Sequence, residues 1–108
     1  MATSPLPPKL DQGRAPTPDE LRDLPGANQE AIHAVERCIA TRHVVEIDYT
    51  DERGERSLIR ARPGYIRHNT AKHIVLWGIR EGRENWEEYR LDRIHAARDT
   101  GEEFTPSW

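Results

Sequence analysis

The sequence has little that could cross-link the chain or anchor it in a bilayer. It contains a single cysteine, Cys38, so no internal disulfide can form. No apolar run approaches the ~20 residues that a membrane-spanning helix needs. The N-terminus also lacks the basic and then apolar pattern of a signal peptide. These absences predict a soluble, cytoplasmic protein with no membrane partner.

The common signatures of enzymes are missing as well. There is no glycine-rich phosphate loop ending in Lys-Ser/Thr, no His-Glu-x-x-His pair and no Gly-x-Ser-x-Gly nucleophile elbow. The histidines are not accompanied by paired cysteines or by a tight acidic cluster, so we expect no metal site and no cofactor. We therefore predict that the protein is not an enzyme, and we keep a small hydrolase or nuclease as an alternative.

What the sequence does contain is an uneven distribution of charge. The chain of 108 residues is at most one small domain, and its formal net charge is −3. Residues 55–98 nevertheless hold ten Lys/Arg against six Asp/Glu, whereas residues 1–54 hold six against ten. The run from Arg56 to Arg67 has four arginines and no acid. This asymmetry indicates an anionic partner for the middle of the chain.

The first part of the chain predicts a tail followed by two helices. Residues 1–16 are rich in proline and have little to bury, so we expect a disordered tail there. Thr17-Pro18-Asp19-Glu20 has the order of a helix start, with a hydroxyl N-cap, proline at the first position and a glutamate that returns the capping bond. A second helix runs from about Asn28 to about Arg42, which completes a helical segment over residues 17–43.

The second helix is amphipathic. Ala31, Ile32, Val35, Cys38 and Ile39 recur at helical spacing and form one apolar stripe, which needs a sheet to cover. We interpret Cys38 as a small buried hydrophobe, because no partner that would activate its thiol lies nearby in the sequence.

From Val44 the hydrophobic period changes to two, which is typical of strands. Several short strands follow, separated by turns, and the run at Lys72–Arg80 is apolar on both faces. It is therefore either a central strand or one side of an interface. We predict a mainly β fold over residues 44–98, a small and strongly bent antiparallel sheet or barrel of about five strands behind the amphipathic helix. The last strand is expected at Ile94–Arg98, and residues 99–108 are expected to form a C-terminal tail. The other strands are expected at Val44–Thr50, Arg56–Arg62, Tyr65–His68, Lys72–Arg80 and from Trp86 onward.

Arginines and aromatic residues are interleaved along these strands. An arginine fork grips phosphate with two parallel hydrogen bonds, and a flat ring gives a nucleobase a surface on which to stack. The alternative is that the arginines pair with acids on neighbouring strands. Because the Arg56–Arg67 run has no acid of its own, we interpret the set as a ligand site. The candidate residues are Arg60, Arg62, Tyr65, Arg67, Trp77, Tyr89, Arg90 and Arg93.

The stretch Trp86–Ile94 separates two of these arginines. In an extended chain Arg93 shares a face with Tyr89 and Leu91, whereas Arg90 lies with Glu88 and Asp92. We therefore expect Arg93 to be semi-buried, as a staple or the floor of a groove, and Arg90 to form a surface ion pair.

From about Ile32 to Ile94 the chain resembles a WYL domain. The resemblance rests on a helix leading into Val45–Tyr49, an arginine-rich strand closing at Pro63-Gly64-Tyr65, and above all Tyr89-Arg90-Leu91-Asp92-Arg93-Ile94, which matches the family's closing pattern of aromatic-Arg-Leu-Asp-Arg-Ile. Where the family has Trp-Tyr-Leu, this sequence places His73-Ile74-Val75.

The resemblance implies an SH3/Sm-like barrel of the kind common in bacterial transcription regulators and phage-defence proteins. It also implies a ligand-sensing module that binds single-stranded RNA or DNA, or a nucleotide, in a basic and aromatic groove and signals to an effector protein. The alternative is a protein-interaction module that forms homo-oligomers through Ile74–Ile79.

Overall fold

The computed structural model of the protein describes residues 13–106 and 108. The first twelve residues of the tail predicted for residues 1–16 lie outside this part of the chain. Neither helix in the described part is long and apolar enough to cross a membrane. The elements are α1 (Pro18–Arg22), α2 (Gln29–Thr41), β1 (His43–Thr50), β2 (Arg56–His68), β3 (Ile74–Arg80), β4 (Trp86–Arg90), a 3-10 turn (Leu91–Arg93) and β5 (Ile94–Glu103).

The start of α1 follows from its sequence. The Thr17 hydroxyl accepts a hydrogen bond from the Glu20 backbone N–H at 3.2 Å, and the Glu20 carboxylate accepts one from the Thr17 N–H at 3.0 Å. Pro18 occupies the first helical position, where a backbone N–H would have no hydrogen-bond acceptor within the helix, so proline loses no bond there. The predicted capping box is therefore confirmed.

The amphipathic helix α2 is confirmed too. The Asn28 side chain accepts a hydrogen bond from the Ala31 N–H at 3.2 Å and so caps its N-terminus. The helix ends at Thr41 because Arg42 adopts the left-handed conformation, with φ of 59°. The residues of its stripe Ala31, Ile32, Val35 and Cys38 are at most 2% exposed.

The five strands form one antiparallel sheet in the order β4-β3-β2-β1-β5. Side chains alternate between its two faces, and the inner face packs against α2 in a single core. This arrangement confirms the prediction of a mainly β fold with a helix in front of the sheet. The inner-face residues include Val45, Ile47, Ile59, Ala61, Ile66, Leu76 and Tyr89.

A β-bulge at Gly64 bends the sheet. Pro63 pairs with Gly78 and Tyr65 pairs with Trp77, so Gly64 is an extra residue on β2. A bulge of this kind bends a strand and increases its twist. The two segments predicted on either side of Pro63-Gly64 are thus halves of one continuous strand, of which the first half pairs with β1 and the second with β3.

The bent sheet does not close into a complete barrel. No strand pairing joins β4 to β5 within residues 13–106 and 108, because the 3-10 turn Leu91–Arg93 redirects the chain between them. The result is an open, strongly bent version of the predicted barrel. A cleft lies between β4 and the turn that connects β1 to β2.

The prediction that the last strand ends at Arg98 is wrong. β5 continues to Glu103 and pairs with β1 up to His43. Asp99-Thr100-Gly101 has the composition of a turn, but here it forms an irregularity inside the strand, where Gly101 takes a φ of 74° and the Thr100 hydroxyl donates to the Val44 carbonyl at 2.6 Å.

Most of β3 is buried on both faces, which agrees with the first of the two alternatives that the sequence left open. The strand lies between β2 and β4, although β2 is the central strand of the sheet. Ile74, Val75, Leu76 and Ile79 are at most 7% exposed. Their side chains are already packed within the chain, so the burial does not support an oligomer interface through Ile74–Ile79.

Candidate functional site

Two of the candidate arginines already hold carboxylates. Arg60 donates to Glu81 at 2.6 Å and also to Glu102, so it links β2 to the β3–β4 turn and to the end of β5. Arg90 donates two hydrogen bonds to Asp92, at 3.0 and 2.6 Å. The Arg90 guanidinium lowers the pKa of the Asp92 carboxyl. The predicted ion pair of Arg90 is therefore present, and both arginines are already paired with acids of this chain.

Four half-buried arginines differ from these because they have no carboxylate partner in the part of the chain that the structure describes. A partly desolvated cation without a counter-charge favours an anionic ligand. Arg62 and Arg67 lie on the outer face of β2. Arg80 and Arg93 line a cleft between β4 and the β1–β2 turn.

The outer face of β2, β3 and β4 combines cations with aromatic rings. The Tyr65 and Trp86 rings stack with their centroids 5.8 Å apart and their planes at 29°. The Arg67 guanidinium lies 5.3 Å from the centroid of the Tyr65 ring. Strand pairing puts Arg62 and Trp77 on the same side of the sheet. We call this surface, formed by Arg62, Tyr65, Arg67, Trp77 and Trp86, the aromatic face.

Trp86 reaches across β3 because Gly64 has no side chain. A Cβ at Gly64 would lie 2.6 Å from Cζ3 of Trp86, well inside van der Waals contact. The bulge therefore both bends β2 and leaves room for the indole. The Trp86 Nε1 is buried and has no hydrogen-bond partner among the described residues.

Two further rings come from beyond β5. The Trp108 centroid lies 4.7 Å from that of Trp86 with the planes at 61°, and Phe104 lies 5.8 Å from Trp108. The Phe104 N–H donates to the Arg42 carbonyl at 3.0 Å. The chain after β5 thus folds back over the edge of the aromatic face.

The second group of arginines lines a cleft of about 780 Å³ between β4 and the β1–β2 turn. Arg80 and Arg93 lie there without ion pairs among the described residues, and Arg93 is semi-buried as the sequence predicted. The cleft also contains the acids Glu52, Glu55 and Glu87. Its mixed charge makes it a weaker anion site than the aromatic face.

Tyr89 contributes to the core and not to an open surface. Its ring is 3% exposed and packs edge-on against Tyr49 with the centroids 5.2 Å apart. Its hydroxyl donates to the Glu87 carboxylate at 3.2 Å. Burial, reinforced by Glu87, raises the pKa of Tyr89, so the phenol remains neutral and no face of the ring is open to a nucleobase.

Cys38 has polar neighbours that the sequence does not reveal. The Asp99 carboxylate interacts with the thiol and also bonds to His43 Nδ1 at 2.9 Å. A Cys, a His and an Asp therefore meet at the junction of α2, β1 and β5. Burial, with a further contribution from Asp99, raises the pKa of Cys38 to about 12. The thiol is held protonated, which is the opposite of what a nucleophile needs.

The structure thus brings four of the eight candidates, Arg62, Tyr65, Arg67 and Trp77, onto one face. It places Arg93 in the cleft, Arg60 and Arg90 in ion pairs, and Tyr89 in the core. The sequence did not predict that Trp86 stacks on Tyr65 or that Trp108 contacts Trp86. The sequence signal for the position of Trp86 was Gly64, because a glycine inside a strand indicates that another group approaches the strand closely at that point.

Comparison with known proteins adds a family to this description. The family model described as WYL domain matches residues 30–99. Among solved structures, proteasome accessory factor B/C (PafBC) of Arthrobacter aurescens is similar, with a TM-score of 0.65 and 19% sequence identity over 75% of this chain and 13% of that chain. At this identity the likeness shows the fold alone. No curated protein matches the chain.

Proposed function

The chain belongs to the WYL domain family, which is associated with ligand-sensing regulation, and from this we propose that it is a sensing domain that binds single-stranded nucleic acid on its aromatic face. A nucleotide-like anion is the smallest form of the same ligand. The domain catalyses no reaction of its own, and it passes the signal to an effector protein in transcription regulation or phage defence.

The observation that carries this proposal is a pair of arginines without carboxylate partners beside the stacked rings. Arg62 and Arg67 have no acid partner among the described residues, and the Tyr65–Trp86 stack lies on the same face. Guanidinium groups suit phosphate because their donors match two phosphate oxygens at once. Base stacking on a protein ring contributes about 1–3 kcal/mol per base without regard to sequence. A strand of any sequence can therefore be held through its phosphates and bases together.

Fluorescence anisotropy with labelled oligothymidylate and oligouridylate of about ten nucleotides tests the proposal. We expect the protein to bind at low salt and to bind more weakly at moderate salt, because binding to phosphates releases counterions. The double variant Arg62→Ala/Arg67→Ala is expected to bind more weakly. Its plot of log affinity against log salt should be shallower by about 0.7 for each phosphate that the variant no longer neutralises.

Arg56→Ala is the matched control, because Arg56 lies on the same strand but is largely exposed and bonds to Asp48 at 2.8 Å. Its affinity should equal that of the wild type. Absence of binding both by the wild type and by Trp108→Ala, which removes the ring against Trp86, would contradict the proposal. Wild-type affinity in the double variant would contradict it as well. A weakening confined to Arg80→Ala/Arg93→Ala would move the site to the cleft.

A further inference from the structure

The aromatic face is partly occupied by the chain's own Trp108. Its indole contacts Trp86 at a centroid distance of 4.7 Å, and Tyr65 stacks on Trp86 at 5.8 Å. Tyr65, Trp86, Trp108 and Phe104 consequently form a continuous row of rings. The two residues of this row that strands hold in place are Tyr65 and Trp86.

The segment that carries Trp108 is held by few interactions. After β5, the Phe104 N–H bonds to the Arg42 carbonyl, but Thr105, Pro106 and Trp108 make no backbone hydrogen bond within the described residues. These residues also belong to no helix or strand. The contact of Trp108 with Trp86 is therefore a side-chain contact that can separate without disturbing the sheet.

The Trp86 indole also carries a polar group without a partner. The Trp86 Nε1 is buried without a hydrogen-bond partner in the part of the chain that the structure describes. Native proteins rarely leave a buried N–H unpaired, because it loses its bond to water and gains none in return. Trp108 supplies an aromatic edge to Trp86 but no acceptor for this group. A ligand that brings a flat ring and an oxygen acceptor would satisfy Trp86 better.

We propose that Trp108 occupies the place of a nucleobase on Trp86, so that a single-stranded ligand must displace the Trp108 ring to bind. This inference rests on the proposed function and adds its regulation. The base stacks on Trp86, a base carbonyl or phosphate oxygen accepts the hydrogen bond from Nε1, and Arg62 holds the adjoining phosphate. Trp108 therefore changes position when the ligand binds, and an effector can detect this change.

Two measurements test this inference, both with labelled oligothymidylate and the full chain. In anisotropy, Trp108→Ala should bind on the order of tenfold more tightly than the wild type, because a competitor that fills most of the sites lowers the apparent affinity by the fraction left open. Trp86→Ala should bind at least tenfold more weakly. Thr105→Ala is the matched control, since it changes an exposed residue of the same segment and leaves the rings in place.

The second measurement needs no variant of the binding site. In protein labelled with 5-fluorotryptophan, the ¹⁹F resonance of Trp108 should move to the position of a free indole as oligothymidylate is added. Equal affinities of Trp108→Ala and the wild type, or an unmoved Trp108 resonance at saturation, would overturn the displacement and leave the proposed function standing. Absence of binding by both proteins would overturn the two together. Binding by Trp108→Ala alone would support displacement in its strongest form.

Discussion

Cys38 illustrates how neighbours distant in sequence set the chemistry of one residue. The thiol is 0% exposed on the inner side of α2. The sequence correctly predicts this burial from the helical stripe. It does not predict that His43 and Asp99 are neighbours of the thiol. These two residues are 56 positions apart in the sequence, and strand pairing brings them together. The same three residue types around a solvated, low-pKa thiol would indicate nucleophilic catalysis, whereas here burial keeps the sulfur protonated.

The raised pKa of Cys38 leads to a prediction about reactivity. At pH 8 a thiol with a pKa of about 12 has a thiolate fraction on the order of 10³ smaller than an ordinary thiol. We therefore expect native protein to react with a thiol-specific disulfide reagent far more slowly than the same protein unfolded in guanidinium chloride. Absorbance of the released thiolate measures both rates. Fast labelling of Cys38 at pH 8 in protein that keeps its fold would contradict this assignment.

At the scale of the secondary-structure elements, the bulge in β2 ties the shape of the sheet to the aromatic face. Gly64 bends the strand, and its missing side chain makes room for Trp86. We expect Gly64→Ala to destabilise the protein by about 1–3 kcal/mol, because the new methyl group would overlap the indole. Urea unfolding measures the free energy. In a Trp86→Ala background the same substitution should cost less, since the atoms it meets are gone.

The pair of substitutions forms a double-mutant cycle, in which the coupling energy isolates the contact between positions 64 and 86. An equal cost of Gly64→Ala in both backgrounds would mean that the methyl group meets the Trp77 carbonyl, 3.3 Å away, and not the indole. The cycle therefore distinguishes a requirement of the backbone from a requirement of the aromatic face.

The elements themselves were largely predictable, because their signals are local. The capping box at Thr17, the stripe of α2 and the alternation of β1 each depend on residues within a few positions of one another. Asp99-Thr100-Gly101 predicted too early an end for β5, because local turn preferences cannot reveal that β1 has an edge to pair with. Four of the five residues of the aromatic face were candidates from the sequence. Trp86 was not, because it reaches Tyr65 only through the strand order and the bulge at Gly64.

For the molecule as a whole, strand pairing redistributes the charge asymmetry of the sequence. The arginine-rich run of β2 has no acid of its own, but Asp48 of β1 binds Arg56, and Glu81 and Glu102 bind Arg60. Acids from the flanking parts of the chain therefore neutralise the first half of β2. Arg62 and Arg67 have no carboxylate partner among the described residues. The sequence indicated an excess of cations, and the sheet topology determines which of them have no carboxylate partner.

These pairings predict how stability depends on pH. Arg56 lowers the pKa of Asp48, Arg90 lowers that of Asp92, and the Gly101 N–H with His43 lowers that of Asp99. Arg14 does the same for Glu20. Each carboxyl binds its proton more readily in the unfolded chain, where its pKa is about 4. The stabilisation is therefore fully present above about pH 5 and is lost as the pH falls through 4 toward the lower pKa values of the folded state.

Urea unfolding from neutral pH down to about pH 3 measures this loss, and the free energy of unfolding should stay level at first and then decline. Asp99→Asn should show a shallower decline than the wild type. Glu84→Gln is the matched control, because Glu84 is exposed outside the helices and strands and makes no ion pair among the described residues, so its decline should match that of the wild type. A free energy that rises on acidification, or identical declines in Asp99→Asn and the wild type, would mean that these carboxylates do not stabilise the fold.

Added salt should weaken the exposed pair of Asp48 with Arg56 more than the half-buried pair of Asp92 with Arg90, since screening acts mainly on charges in contact with solvent.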